Sequence, residues 1–231
     1  QERTNMGGTL RISWLMTSIA VACLAFILTA SCTIVPDKEE GAEDSEALDI
    51  YFVTDDFKPD EFVAEIWESR VVPYFKKECL PISDILPVWA EDQEKAGEEY
   101  GYREKAEGSP WNFRVAGTGE IVSVNTESRA STVDIDLAPV DGVADVSIQI
   151  GPVIKDTAIR DSLEFISFTD FTNQLEFARL STAFNKMVNK AVTGPLDRDH
   201  LMGRTVIFFG AFTQLQDSDQ IRITPVFLEV Q

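Results

Sequence analysis

The sequence predicts a mainly β fold with additional helices (α+β), namely a five-stranded barrel with an N-terminal helical segment and one helix between strands three and four. Three observations carry this prediction. Apolar residues follow helical spacing at about 58–101. Residues 111–153 instead alternate apolar and polar side chains in three short runs. Two further runs of strand type, at 204–215 and 221–230, follow a long helical stretch at 171–194.

The first three strands are predicted from alternation and from turn residues. In the first run Trp111, Phe113 and Val115 share one face. The second and third runs repeat this pattern at Val133, Ile135 and Leu137 and at Val146, Ile148 and Ile150. An Asp-Gly pair at 141–142 indicates a turn between the last two, so we expect a three-stranded antiparallel meander.

The region before the strands predicts helices. Pro59 suits the first turn of a helix at 58–80, and we expect Pro73 to kink or end that helix. Residues 83–101 form a second, weaker helical stretch that stops at Gly101. One apolar face of the first helix is made by Phe62, Val63, Ile66, Trp67 and Val71.

The strongest helix lies between the third and fourth strands. Phe177, Leu180, Phe184, Val188 and Ala191 are spaced by three or four residues, and Gly194-Pro195 is a stop signal. Three strands, a helix and two more strands are the order of the five-stranded oligonucleotide/oligosaccharide-binding (OB) barrel.

The N-terminal region predicts a lipoprotein signal. Residues 12–31 carry no charge and follow Arg11, and the stretch Leu28-Thr29-Ala30-Ser31-Cys32 has the small residues and the cysteine of a bacterial lipobox. The cysteine is required there because its thiol accepts the lipid. We therefore predict a signal peptide at 1–31 and a lipid anchor at Cys32; the alternative is a plain signal-anchor with a chance cysteine. An acidic, flexible tether at 32–48 and a single domain at 49–231 follow.

Charge and residue counts exclude several functions. With 39 acidic and 20 basic residues the net charge is −19, which repels nucleic acid. His200 is the only histidine, so neither a histidine-rich metal site nor a Ser-His-Asp triad is expected, and no cofactor is predicted. Cys79 follows Lys76 and Lys77, which would lower its pKa, but a small core residue is the preferred interpretation.

Four aspartates bracket the predicted hairpin, namely Asp134, Asp136, Asp141 and Asp145. Their spacing does not match a twelve-residue calcium loop. We expect them to face solvent rather than to bind a metal.

The candidate ligand-binding residues concentrate in the long segment 151–174. Arg160, Asp161, Asp170, Asn173 and Gln174 lie there beside Phe165, Phe168 and Phe171, and Trp111 and Asn112 are expected at the same end of the barrel. Amides, carboxylates and aromatic faces together are typical of sugar sites. In the structural alternative, Arg160 pairs with Asp161 or Asp170, Asp170 or Thr172 caps the next helix, and the phenylalanines plug the barrel.

Several stretches resemble a family of uncharacterised predicted periplasmic lipoproteins. They are "CTIVP", "GSPWNFRVAGTGEIV", "QIGPVIKDTAIRDSLEFISFTDFTNQLEFA", "GRTVIFFGAFT" and "ITPVFLEV". Members are often encoded beside sugar ABC-transporter components, and a structurally known relative resembles an OB fold. The resemblance implies an OB-like barrel in the periplasm and a link to sugar uptake, but no reaction.

The expected function is therefore that of a non-catalytic, lipid-anchored envelope protein with an accessory or ligand-binding role near a sugar ABC transporter. Its expected partners are the membrane, transporter components and a small sugar-like ligand. The alternatives are a scaffold that binds a protein partner and a hydrolase that uses carboxylates alone. The choice between inner and outer membrane stays open.

Overall fold

The structure is a computed structural model that describes residues 57–104, 109–215, 218 and 220–231. The predicted signal peptide, the tether and Cys32 lie outside these residues. Within them, no helix is both long and apolar enough to cross a membrane.

Six strands form one sheet, and five of them match the predicted runs. The strands are β1 Leu80–Pro81, β2 Asn112–Asn125, β3 Thr132–Leu137, β4 Val146–Gln149, β5 Thr205–Thr213 and β6 Arg222–Val230. The additional strand, β1, is too short to show alternation in the sequence.

The sheet closes into a barrel with the predicted connectivity. Strands β2, β3 and β4 form the antiparallel meander, β4 pairs parallel with β6, and β6 pairs antiparallel with β5. The barrel closes because the long strand β2 also pairs antiparallel with β5. Where β2 passes from β5 towards β3, a Cβ atom at Gly119 would lie 2.4 Å from the Asp136 carbonyl oxygen, so only glycine fits this approach.

The helices surround the barrel. They are α1 Pro59–Ile66, α2 Val72–Glu78, α3 Ile82–Glu91, α4 Gln93–Tyr100, α5 Ala158–Asp161 and α6 Gln174–Val188, with π-helical turns at Trp67–Val71 and Asn189–Thr193 and 3-10 turns at Phe168–Asp170 and Arg198–His200. The helix predicted between the third and fourth barrel strands is α6, which lies between β4 and β5.

The structure refines two helix predictions. Of the two outcomes expected at Pro73, a kink or an end of the first helix, the end does not occur, since the helix passes through the π-helical turn Trp67–Val71 and continues as α2 to Glu78. A widened turn tolerates the missing proline N–H. The second predicted helix is two helices, because the Asp92 side chain accepts hydrogen bonds from the Glu94 and Lys95 backbone N–H groups and starts α4.

The buried residues form two cores. The barrel core contains Phe113 and Phe212, whose rings stack with centroids 4.6 Å apart. The second core lies between the helices and the outer face of the barrel. It includes Val63, Ile66, Trp67 and Val71, the predicted buried face of the first helix, together with Leu180 and Phe184 of α6.

Candidate functional site

The segment between β4 and α6 is fixed against the barrel by Arg114 of β2. One guanidinium nitrogen of Arg114 donates to the Ser162 carbonyl oxygen at 3.0 Å, and the other lies 3.0 Å from the Glu164 carboxylate. The segment also has structure of its own, in α5 and in the 3-10 turn Phe168–Asp170. Its side chains therefore have defined positions relative to the start of β2.

A cavity of about 210 Å³ lies where this segment meets the start of β2, and we call it the polar cavity. It brings together three of the predicted site residues, Asn112, Arg160 and Asp161. The residues that line it are Tyr102, Glu104, Ser109, Pro110, Asn112, Arg160, Asp161, Ile166 and Phe177.

Arg160 is held rigidly in the wall of the polar cavity. Its Nε donates to Asp161 Oδ1 at 2.7 Å, its Nη2 lies 2.6 Å from the same oxygen, and its Nη1 donates to the Phe177 carbonyl oxygen at 2.9 Å. The side chain is 11% exposed, so the expected buried pairing with Asp161 is present. These contacts use three of the five guanidinium N–H groups, which leaves one N–H on each terminal nitrogen.

Asp161 and Asn112 are also fixed by neighbouring side chains. Thr157 Oγ1 donates to Asp161 Oδ2 at 2.5 Å. Thr213 Oγ1 donates to Asn112 Oδ1 at 2.7 Å, and Asn112 Nδ2 donates to the Pro110 carbonyl oxygen at 3.4 Å, which leaves one of its two N–H groups as a donor without a partner among the described residues. The polar groups of the cavity are therefore positioned before any ligand arrives.

Tyr102 and Glu104 line the polar cavity but were not predicted as site residues. The backbone of Tyr102 forms an antiparallel bridge with Asn112, and the Glu104 carboxylate accepts a hydrogen bond from Ser167 Oγ at 2.6 Å. Burial raises the pKa of Tyr102, and the nearby charges of Glu104 and Glu164 raise it further. No periodicity marks these positions, since they fall between a helix and a strand.

Four other predicted residues do not line the polar cavity. Trp111 packs on α4 at Gly97 and lies 3.9 Å below the Arg103 guanidinium. The Asn173 side chain is the N-cap of α6 and accepts hydrogen bonds from the Leu175 and Glu176 backbone, whereas Gln174 is exposed.

Asp170, the fourth of these residues, accepts a hydrogen bond from the Ser167 backbone N–H within a capping box. Asn173, and neither Asp170 nor Thr172, therefore caps α6. A ligand-binding role for Trp111, Asp170, Asn173 and Gln174 stays a prediction.

A second cavity of about 520 Å³, which we call the aromatic cavity, is lined by phenylalanines and not by Arg160. Phe165 and Phe171 line it, and they pack on the second core rather than plug the barrel. The two cavities share Ile166. The aromatic cavity is lined by Phe57, Phe62, Phe165, Ile166, Asp170, Phe171, Thr172 and Glu176.

Asp156 is a half-buried residue with a hydrogen-bonded carboxylate that the sequence did not indicate. It accepts hydrogen bonds from Thr224 Oγ1 at 2.8 Å, from Gln149 Nε2 and from the Ala158 backbone N–H at 3.2 Å. Its pKa is raised, chiefly because burial disfavours the charged form. These contacts join β4 to β6, and Asp156 lines neither cavity.

The interpretation of Cys79 as a core residue agrees with the structure. Burial raises the pKa of its thiol to about 12, and the thiol lies 3.8 Å from the Gly210 carbonyl oxygen. The neighbouring lysines do not reverse this shift. The thiol is therefore not an activated nucleophile.

All four hairpin aspartates accept hydrogen bonds and do not simply face solvent. Asp145 accepts one from the Leu137 backbone N–H at 2.8 Å, and Asp141 accepts one from the Val143 backbone N–H at 2.9 Å. Asp136 is fully buried and accepts hydrogen bonds from the backbone N–H groups of Asp141, at 3.1 Å, and Gly142, at 2.5 Å. These bonds hold the predicted Asp-Gly turn, in which Gly142 has a φ of 86°. Asp134 accepts a hydrogen bond from Ser147 Oγ at 2.6 Å. Across the described part of the chain, no cluster of three or more His, Cys, Asp and Glu side chains is placed to hold a metal ion.

Comparison with solved structures supports the fold. The chain is similar to a crystal structure of an OB-fold protein from Thermotoga maritima MSB8, with a TM-score of 0.61 and 20% sequence identity. The match covers 76% of this chain and 99% of the other. At this identity the similarity shows the fold alone. Comparison with curated proteins gives no match.

The sequence also matches a protein family over most of its length. The family is described as "predicted periplasmic lipoprotein (DUF2291)", and the match spans residues 22–229, which includes Cys32 and, apart from the last residue of β6, every described strand and helix. The closed barrel, the position of α6 and this match agree with one another, and the chain belongs to the predicted periplasmic lipoprotein family with an OB fold.

Proposed function

We propose that the protein is a lipid-anchored, non-catalytic component of the cell envelope that binds a small sugar-like ligand in the polar cavity and assists a sugar ABC transporter. The observation that carries the binding proposal is the state of Arg160. Its guanidinium is fixed by Asp161 and Phe177 while two N–H groups stay unused among the described residues. A fixed donor beside a cavity favours a ligand that accepts hydrogen bonds.

The other walls favour a neutral polyol over an anion. Sugar hydroxyls both donate and accept hydrogen bonds, and the cavity offers donors from Arg160 and Asn112 and acceptors from Glu104. The ring of Tyr102 supplies an apolar face of the kind that covers a sugar ring. The volume of about 210 Å³ is below the range of roughly 300–1,000 Å³ that suits drug-sized ligands, so we infer a single sugar ring.

The link to sugar transport rests on the family and not on the cavity. Members of the family that the sequence resembles are often encoded beside sugar ABC-transporter components. A lipid at Cys32 and an acidic tether at 32–48 would keep the barrel close to a membrane transporter.

A thermal-shift screen of neutral monosaccharides tests the binding proposal, because a ligand that binds only the folded state raises the melting temperature. We expect the shift to shrink in Glu104→Gln, which keeps an acceptor for Ser167 but loses the charge, and in Tyr102→Leu, which loses the aromatic face. Arg129→Lys, at an exposed position outside the cavity, is the matched control. The proposal fails if no sugar shifts the melting temperature, or if both cavity variants respond like the control.

The scaffold and hydrolase alternatives stay predictions. Burial raises the pKa of Asp156, but this residue lines neither cavity. The hydrolase alternative therefore gains no support from it.

A further inference from the structure

The aromatic cavity is lined both by phenylalanine rings and by two acidic residues. Phe57, Phe62 and Phe171 supply aromatic faces from the segment before α1, from α1 itself and from the loop before α6. The centroid of the Phe57 ring lies 6.0 Å from that of Phe62, with the two rings tilted. It lies 5.4 Å from that of Phe171, in an edge-on arrangement. With a volume of about 520 Å³, this cavity lies within the usual range for ligand sites.

Two carboxylates face these rings. Glu176 is 4% exposed, and its Oε2 accepts a hydrogen bond from the Thr172 backbone N–H at 3.1 Å. Its other oxygen has no hydrogen-bond or ion-pair partner within the described residues. Asp170 is the second carboxylate of the lining, and none of the described lining residues is a lysine, an arginine or a histidine.

The start of α6 does not convert this cavity into an anion site. In its first turn the Leu175 and Glu176 backbone N–H groups already donate to the Asn173 side chain, and just before it the Thr172 N–H donates to the Glu176 carboxylate. An anionic ligand would meet two carboxylates on a chain of net charge −19. A neutral apolar ligand would exclude water from the Glu176 carboxylate and leave its second oxygen without a partner, which is costly.

The aromatic rings of this region already accept cations from the protein itself. The Arg70 guanidinium lies 4.2 Å from the centroid of Phe165, and Arg70 forms no ion pair with a described residue. Phe57, Phe62 and Phe171 have no such partner among the described side chains. A positive group with apolar substituents would satisfy both these faces and the carboxylates.

We propose that the aromatic cavity is a binding site for a small substituted ammonium ion, held between the phenylalanine faces and the Glu176 and Asp170 carboxylates. The ligand is a free solute and not a phospholipid headgroup, because the phosphate beside a headgroup ammonium would be repelled by the two carboxylates. The site is separate from the polar cavity, so the proposal does not depend on sugar binding.

The probe for the test is choline, titrated calorimetrically into the full-length mature lipoprotein in a nonionic detergent. Its neutral isostere 3,3-dimethylbutan-1-ol has the same shape without the charge, and phosphocholine adds a phosphate to the same ammonium group. We expect saturable binding of choline and much weaker binding of both comparison compounds. Equal affinity for the neutral alcohol or for phosphocholine, or no saturable binding of choline, would overturn the proposal.

Variants assign the binding to the cavity. Glu176→Gln keeps an oxygen for the Thr172 N–H and removes the charge, so choline affinity is expected to fall by roughly tenfold. Phe171→Leu keeps apolar volume without the aromatic face and is expected to weaken choline binding several-fold. If the melting temperature shows that the Phe171→Leu protein is unfolded, the Phe62→Leu variant is used for the same test. Glu98→Gln, an exposed position of α4, is the control for loss of one acidic charge. Choline affinity that is unchanged in a folded Glu176→Gln protein contradicts the assignment.

Discussion

The Arg160 guanidinium lies 3.9 Å from the centroid of the Phe177 ring and also donates a hydrogen bond to the Phe177 carbonyl oxygen at 2.9 Å. One arginine thus joins α5 to the first turns of α6 through both the ring and the backbone of a single residue. The Asp161 carboxylate fixes the other edge of the guanidinium. This arrangement makes Arg160 a structural residue as well as a wall of the polar cavity.

Replacing Arg160 by alanine is expected to destabilise the fold by about 2–3 kcal/mol, because it removes the cation paired with the part-buried Asp161 carboxylate and the donor to the Phe177 carbonyl oxygen. The free energy of unfolding, measured by urea denaturation, checks this. Arg129→Ala at an exposed loop position is expected to cost less than about 0.5 kcal/mol. The double variant Arg160→Ala/Asp161→Ala should cost less than the sum of the single variants. A loss for Arg160→Ala no larger than that of the control would contradict the structural role.

Asp156 predicts a specific pH dependence of stability. Its pKa in the folded protein lies above the ordinary value of 3.8, so the folded state holds the proton more tightly than the unfolded state does. The stability from this residue is therefore complete below the unfolded pKa and is lost as the pH rises through the folded pKa. Urea denaturation over a pH series should show wild type losing stability relative to Asp156→Asn in that window. A constant difference between the two proteins would refute the raised pKa.

Cys79 is expected to react very slowly with thiol reagents in the folded protein. A pKa of about 12 leaves only about one thiol in ten thousand ionised at pH 8, and the thiolate is the reactive form. The rate of labelling should be measured in a Cys23→Ser/Cys32→Ser protein with and without denaturant. Denaturation should raise it strongly, whereas Ser128→Cys, at an exposed position, should react rapidly in both states. Rapid labelling of native Cys79 would show that the thiol is not protected.

Cys32→Ala tests the predicted anchor. Because the lipid is expected to attach to this thiol before the signal peptide is cleaved, the variant should keep its full precursor mass and lose the lipid. Intact-protein mass spectrometry and detergent partitioning check both effects. Ser31→Ala leaves the thiol and a small residue in place and should be processed normally. An unchanged processed mass in Cys32→Ala would rule out the lipoprotein signal.

The local parts of this fold could be predicted from the sequence, because their patterns lie within single elements. Alternation located β2, β3 and β4, and the spacing of Phe177, Leu180 and Phe184 located α6. The division of the second helix at Asp92 was missed because a capping aspartate resembles any other polar residue of an acidic helix. The π-helical turn before Pro73 has no distinctive composition.

The site was predictable only where partners are close in sequence. Arg160 and Asp161 are adjacent, and their pairing was expected. Tyr102 and Glu104 reach the same cavity through the bridge between Tyr102 and Asn112, a contact that sequence spacing does not reveal. Asp156 depends on Thr224 in a distant strand, so its burial follows from the closed barrel and not from its own neighbours.

The pairing of β2 has a consequence for a protein concentrated on a membrane surface. From Asn112 to Glu120, one edge of β2 is covered by β5; the other edge is covered by β1 at Val115 and Ala116 and by β3 from Gly119. A strand that is bonded on both sides cannot recruit the strand of a neighbouring copy. If the predicted lipid at Cys32 holds copies side by side on a membrane, the part of β2 that is paired on both edges offers no template for intermolecular sheet growth.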